Sequence, residues 1–245
     1  MAFLAPEWFL GKDIMMGIFV LIVLIVFFVL AFKGYRLSKN KSLLNLGIGF
    51  GLIALAQIAN LLTKFVIYYD TPLISSIGTM IIQSGVVNSV SILYGLSFFF
   101  HRFLSLLGFY LIYRLPKEKK GYGGDFALVI FFILISAFIS KEQSYIFNLT
   151  ALFLLVLISI NYYDLYKKNK FFNTKILFMG FMMLTLTNLI MVFGNFDFMF
   201  ITGSFLELIS YTVFLGLIIK ILKNGKETRK NGNNLRYVNN RSRKK

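Results

Sequence analysis

Long apolar runs separated by short basic loops organise this chain. About 20 apolar residues are needed to cross a bilayer as a helix. Runs of that kind predict helices over roughly 14–32, 43–66, 88–113, 125–140, 145–163, 175–194 and 197–221. The predicted fold class is therefore all-α: a polytopic membrane protein with seven transmembrane helices over residues 1–222. The stretch 125–140 is short and is expected to tilt little or to extend into its flanks. Asp70–Val87 is apolar but rich in Ser, Gly and Thr. It reads either as an early start of the third helix or as an interfacial or re-entrant segment, with Pro72 placed to begin a helix.

The start of the chain does not read as a cleaved signal. Its first residues, MAFLAPEWFLGKD, lack the basic start that a signal peptide needs. The run Ile14–Phe32 is followed by Lys33 and Arg36 rather than by a small-residue cleavage site. An uncleaved first span is expected, preceded by a short interfacial helix around Pro6, Trp8 and Phe9.

Charge sets the orientation. Lys33, Arg36, Lys39 and Lys41 fall in the first loop, and Arg114, Lys117, Lys119 and Lys120 before the fourth span. Lys167, Lys168, Lys170 and Lys175 follow the fifth, and ten more Lys and Arg lie from Lys220 onward. Seven crossings put all four groups on one side, with only Lys12, Lys64 and Lys141 on the other. The positive-inside rule makes the basic side cytoplasmic and the N-terminus external, in the cell membrane.

Residues 223–245 lose all apolar periodicity and predict a disordered basic tail. Lys220, Lys223, Lys226, Arg229 and Lys230 are its first candidate contacts to anionic lipid headgroups, the partner expected beside the bilayer itself. A docking arm for an acidic protein or RNA is the alternative. The net charge of +16 does not point to DNA, because it lies in loops and a tail beside apolar spans.

The chain also repeats itself. LGIGFGLIALAQ from Leu46 and LFMGFMMLTLTN from Leu177 align so that Gly49 and Phe50 fall on Gly180 and Phe181, and Gln57 on Asn188. The same shift places Tyr35, Arg36 and Lys39 on Tyr166, Lys167 and Lys170. A second match sets FLSLLGFY from Phe103 on FLELISYT from Phe205. The expected layout is a 3+1+3 parallel repeat with the fourth span as the inverting linker, an arrangement that commonly holds a site between its halves. Chance matching of apolar segments is the alternative.

Ionisable groups inside a bilayer are costly and mark candidate sites. Glu207 and Arg102 stand out, with His101 beside Arg102. Through the repeat they lie within about 5 Å in depth, so an Arg102–Glu207 pair is geometrically open. It would be either a lock for the bundle or a ligand or proton site. Gln57, Asn60 and Lys64 share one face of the second span. Asn88 continues the polar line of Ser84, Ser91, Gly95 and Arg102 on the third. Thr185 and Asn188 share a face of the sixth, and Gly203, Glu207 and Ser210 or Tyr211 a face of the seventh. Such groups act either as interhelical glue or as walls of a polar cavity.

Composition closes several routes. At 58% hydrophobic residues the chain is too apolar for a soluble domain. It has no Cys and one His, which excludes disulfides, thiolate chemistry and multi-histidine metal sites. No hydrolase, nucleotide-binding or metalloprotease motif is present, so neither an enzyme nor a cofactor is expected. A retinal protein needs a lysine in the middle of its last span, where none precedes Lys220. The 3+1+3 count resembles the sugar-transporting SWEET family in architecture only. Those proteins hinge at prolines within helices, whereas Pro6, Pro72 and Pro116 lie outside the spans. The function expected is a sensor or receptor-like module that recruits a partner. The alternatives are a small-solute or proton-coupled transporter using an Arg102/Glu207 site, and a structural or assembly subunit.

Overall fold

The structure is a computed structural model and describes residues 9, 11–39, 41–68, 89–114, 123–140, 144–194 and 196–242. Their regular structure is helical: α1 Lys12–Ser38, α2 Lys41–Tyr68, α3 Ser89–Arg114, α4 Gly123–Ile139, α5 Ser144–Asn169, α6 Phe172–Val192 and α7 Asp197–Ser242. Six of them are long and apolar enough to cross a membrane. α4 contributes a shorter apolar stretch, Leu128–Ile139. This is a helical membrane protein. The expected Pro6/Trp8 helix, the 70–87 segment and Asn88 lie outside the described residues.

Six helices close into a ring in the order α1, α2, α3, α5, α6, α7 and back to α1. α4 stands outside the ring, packed against α3 and α5. Neighbours along the chain run antiparallel, as contacts from one end of each pair to the other require. Asp13 at the start of α1 meets Lys64 near the end of α2, and His101 of α3 meets the Ala56 carbonyl of α2. α3 and α5 run parallel. Asn161 reaches the Tyr113 carbonyl at one end, and Phe147 lies beside His101 toward the other. The bundle thus has a basic end, holding Lys33, Arg36, Arg114 and Lys175, and an opposite end at Asp13.

α1 and α5 stop in the same way. Lys39 and Lys170 both take the left-handed conformation, at φ 54° and 51°. Each donates its backbone N–H to the carbonyl of a tyrosine four residues earlier, Tyr35 or Tyr166, over 2.7 Å. A left-handed cap satisfies a carbonyl that the last turn would otherwise orphan. It is unusual on a residue with a Cβ, and here it occurs twice, on lysines 131 positions apart in the sequence.

Toward the basic end the ring interior is filled by rings. Phe27 stacks on Phe50 at 4.4 Å. Phe214 sits edge-on to Phe27, Phe50 and Phe181, and Tyr162 stacks on Phe181 at 5.3 Å. All are buried, with Phe181 and Phe214 fully so. Offset and edge-to-face pairs of this kind add to plain packing, which in a bilayer is the main force holding helices together. Close approach is set by glycines. A Cβ on Gly49 would lie 2.6 Å from Ile112, and one on Gly108 would lie 2.8 Å from the Gly49 carbonyl. A Cβ on Gly180 would meet the Phe214 ring at 2.6 Å.

One expectation fails. The sequence predicts disorder over 223–245, but α7 continues as helix to Ser242. Extending an existing helix avoids the nucleation cost, so loss of apolar pattern alone does not end a helix.

Candidate functional site

The polar groups named from the sequence do not converge on one point. They divide into a capping site on α3 and an interior cluster between α1, α2 and α7.

Arg102 belongs to the first. It is buried, and its guanidinium donates to the Ser140 carbonyl at the C-terminus of α4. It also lies over the Phe98 ring at 3.6 Å and near Phe147 at 5.4 Å. A cation at a helix C-terminus meets both an orphan carbonyl and the negative end of the helix dipole. α4, at 17 residues, is only about 25 Å long, so its last carbonyls end beside α3 rather than beyond it. That short length creates the demand that Arg102 meets. The Arg102–Glu207 pair open from the sequence is not formed. Similar depth permitted it, but Arg102 faces α4 and α5, on the far side of α3 from α7. His101 is likewise committed: its Nδ1 lies 3.0 Å from the Ala56 carbonyl, joining α3 to α2.

Glu207 belongs to the second. On α7 the buried residues Gly203, Ser210, Tyr211, Phe214, Leu217 and Ile218 form one stripe, and Glu207 lies on it by the i, i+4 rule. It is nevertheless only half-buried. Lys64, on α2 toward the Asp13 end, has its ammonium bonded to Asp13 at 3.1 Å. Among the described residues, Glu207 accepts no hydrogen bond and forms no ion pair. Tyr211, one turn deeper and only 4% exposed, lies within reach of the Glu207 charge and likewise makes no hydrogen bond among them.

Gln57 and Asn60 complete the wall on α2. Gln57 donates to the Gly17 carbonyl at 3.4 Å, and Asn60 donates to Gln57 Oε1 at 3.5 Å. The Asn60 carbonyl oxygen accepts nothing among the described residues. α2 and α7 face each other across the ring where Phe50 meets Phe214. Counting helical rise outward from that contact puts Gln57 level with Glu207, and Lys64 about 10 Å nearer the Asp13 end. Glu207 itself lies about 15 Å below the start of α7. The arrangement is a polar chamber between the phenylalanine cluster and the Asp13 end, where the buried Phe9 packs against Phe200 and Phe205 of α7.

Asn188 is not brought into it. Its amide donates to the Leu184 carbonyl of its own helix. Besides His101, Arg102 and Gln57, polar bonds between helices are carried by residues the sequence did not single out. Asn148 donates to the Met191 carbonyl at 2.7 Å and Asn161 to the Tyr113 carbonyl. Ser136 bonds Thr150 at 2.8 Å. The Asp13–Lys64 contact was also missed as a contact. The signal was present: antiparallel α1 and α2 must bring the start of one beside the end of the other. Lys220 lies over the Phe172 ring at 3.2 Å. Lys223, Lys226, Arg229 and Lys230 fall where only the helical backbone is described.

No ligand-sized group of His, Cys, Asp and Glu capable of holding a metal occurs among the described residues. No family model matches the chain, and no curated protein or solved structure matches it either.

Proposed function

We propose that the protein is a receptor-like, non-catalytic membrane module that admits a small solute from outside the cell into the chamber at Glu207. The observation that carries this reading is Glu207 itself: an ionisable side chain on the interior stripe of a spanning helix, half-exposed and without a bonded partner among the described residues. A charge in that position is retained at a cost and is a site by default. A purely structural subunit would be expected to bond it, as this chain does with Arg102.

An external N-terminus and a cytoplasmic basic end are supported by the basic loops under the positive-inside rule. Seven crossings are supported by the parallel course of α3 and α5. α3 leaves at the basic end and α5 begins at the other, so α4 must return across the thickness between them. Two parallel three-helix halves are supported by the matched caps at Lys39 and Lys170. They are supported again by Phe50 and Phe181, which occupy equivalent positions and stack at 6.3 Å. Pseudo-symmetry of this kind also suits a transporter. The packed floor and the absence of proline within the described helices favour sensing, with the signal read by a partner at the basic loops and the tail. The tail also serves anionic lipid, at about 1 kcal/mol for each basic residue near the surface.

The chain has no Cys, so single cysteines report accessibility cleanly. Asn60→Cys should react with a membrane-impermeant maleimide added outside intact cells, and Phe181→Cys, buried in the floor, should not. An Asn60→Cys chain that is unreactive from outside would overturn the reading. In liposomes holding a pH-sensitive dye, the wild type should be silent. Proton flux lost in Glu207→Gln would replace sensing with transport.

A further inference from the structure

We infer that the α5–α6 corner holds the headgroup of an anionic phospholipid from the leaflet at the basic end. The lysines around the corner take its phosphate, and Phe171 and Phe172 lie beside its acyl chains. The site does not depend on Glu207, and of the residues named for the tail only Lys220 takes part.

Position comes first. Three apolar spans have an end here: Tyr145–Asn169, Phe172–Val192 and Asp197–Lys220. Only Lys170 and Phe171 separate α5 from α6. The left-handed backbone at Lys170, φ 51°, turns the chain within that pair, and the Lys175 N–H already bonds the Phe171 carbonyl at 3.2 Å. α7 is tied to the same point, because the Lys220 ammonium lies 3.2 Å over the Phe172 ring. The corner therefore sits where the acyl region meets the headgroups.

Charge and rings then agree. Lys167, Lys168, Lys170 and Lys175 are all exposed, and Lys220 brings a fifth ammonium. Asp164 is the only acidic residue between Glu142 and Asp197, so the corner keeps a surplus of positive charge. Basic pockets between spanning helices on the cytoplasmic side suit acidic headgroups, and lysine side chains at helix ends reach the headgroup level. Phe171 is 65% exposed and Phe172 53%. Rings left bare among lysines match a partner that is apolar on one side and anionic on the other. A phospholipid is both. Inorganic phosphate or a nucleic acid would pair with the ammoniums and leave the rings uncovered.

The matched corner of the first half supports the assignment by contrast. Lys39 caps α1 as Lys170 caps α5, but Asn40 and Lys41 follow it where Phe171 and Phe172 follow Lys170. That corner carries charge without the rings.

The test uses the full chain in a neutral detergent, with Asn173→Cys carrying an environment-sensitive dye at the exposed first turn of α6. The chain has no other Cys, so the label is unique. Short-chain phosphatidylglycerol should shift the dye saturably. Phosphatidylcholine of the same chain length, and inorganic phosphate at equal ionic strength, should not. Lys170→Gln/Lys175→Gln should weaken the response roughly thirtyfold, the loss of two basic residues near the surface. Arg36→Gln/Lys39→Gln should leave it unchanged. Phe171→Ala should weaken it with every lysine in place, so the result does not depend on how the lysine variant folds. No saturable shift, an equal response to phosphatidylcholine or phosphate, an equal loss in Arg36→Gln/Lys39→Gln, or no loss in Phe171→Ala would each overturn the inference. Polyuridylate that shifts the dye as strongly as phosphatidylglycerol would replace the lipid with a soluble polyanion.

Discussion

The floor and the chamber are built from the same helices and behave as opposites. In the floor, Phe27, Phe50, Phe181, Phe214 and Tyr162 are buried against one another, and ring packing holds them together. A few turns away, α2 and α7 carry Gln57, Asn60, Lys64, Glu207 and Tyr211, and their bonds are few and long. A bilayer gives helices no hydrophobic reason to associate. The packing of the floor therefore holds the ring closed, and that leaves the chamber free to keep groups unbonded. Stability should be concentrated in one and ligand response in the other.

The largest expected effect is in the floor. Phe181→Ala removes the ring that touches Phe50, Phe214 and Tyr162. It should cost roughly 3–5 kcal/mol, as large-to-small changes in packed cores do, read as reversible unfolding in mild detergent. A loss under about 1 kcal/mol would mean that the ring is held elsewhere. Gly108→Ala should come next. Its Cβ would press on the Gly49 carbonyl at 2.8 Å, a backbone atom that cannot swing aside, so α2 and α3 must separate at a cost of about 1–3 kcal/mol. Gly216→Ala is the internal control, because nothing lies within 4 Å of the new methyl. There the better helix propensity of alanine should leave stability equal or slightly higher.

Arg102 separates structural charge from functional charge. Arg102→Gln gives up a charge-assisted bond to the Ser140 carbonyl and the contact with Phe98. A loss of about 1.5–3 kcal/mol is expected. Because Arg102 and Glu207 share no partner, the double variant Arg102→Gln/Glu207→Gln should equal the sum of the singles to within about 0.5 kcal/mol. A coupling well above that would restore the direct pair that depth alone suggested.

That failed pairing shows what the sequence could and could not convey. Helix positions were legible because a bilayer demands long apolar runs: the expected 43–66 and 145–163 lie inside Lys41–Tyr68 and Ser144–Asn169. The polar faces were legible because 3.6-residue spacing fixes which residues share a side, as with Glu207 and Tyr211. Depth was legible from rise per residue. Azimuth was not. Whether Arg102 turns toward α7 or toward α4 depends on the ring order, and that order is set by glycine contacts and aromatic stacking between residues far apart in the chain. The short length of α4 was visible, but its consequence, an unfinished helix end that takes Arg102 as its cap, needed the neighbour to be known. The tail misled for a related reason, since periodicity reports burial and not helix continuity.

Glu207→Gln should produce the smallest change of all, within about 0.5 kcal/mol of wild type, as for a surface substitution. The amide keeps the shape, removes a charge, and breaks no bond among the described residues. Lys64 retains Asp13 at 3.1 Å, so it is not left as an uncompensated cation. The measurement is the same unfolding experiment. A destabilisation beyond about 2 kcal/mol would show that Glu207 holds the ring together. It would then stand with Arg102 as a structural charge, and the contrast between a packed floor and a free chamber would disappear. A near-neutral result would divide α7 along its axis, with Phe214 below serving stability and Glu207 above left out of the packing that holds the ring.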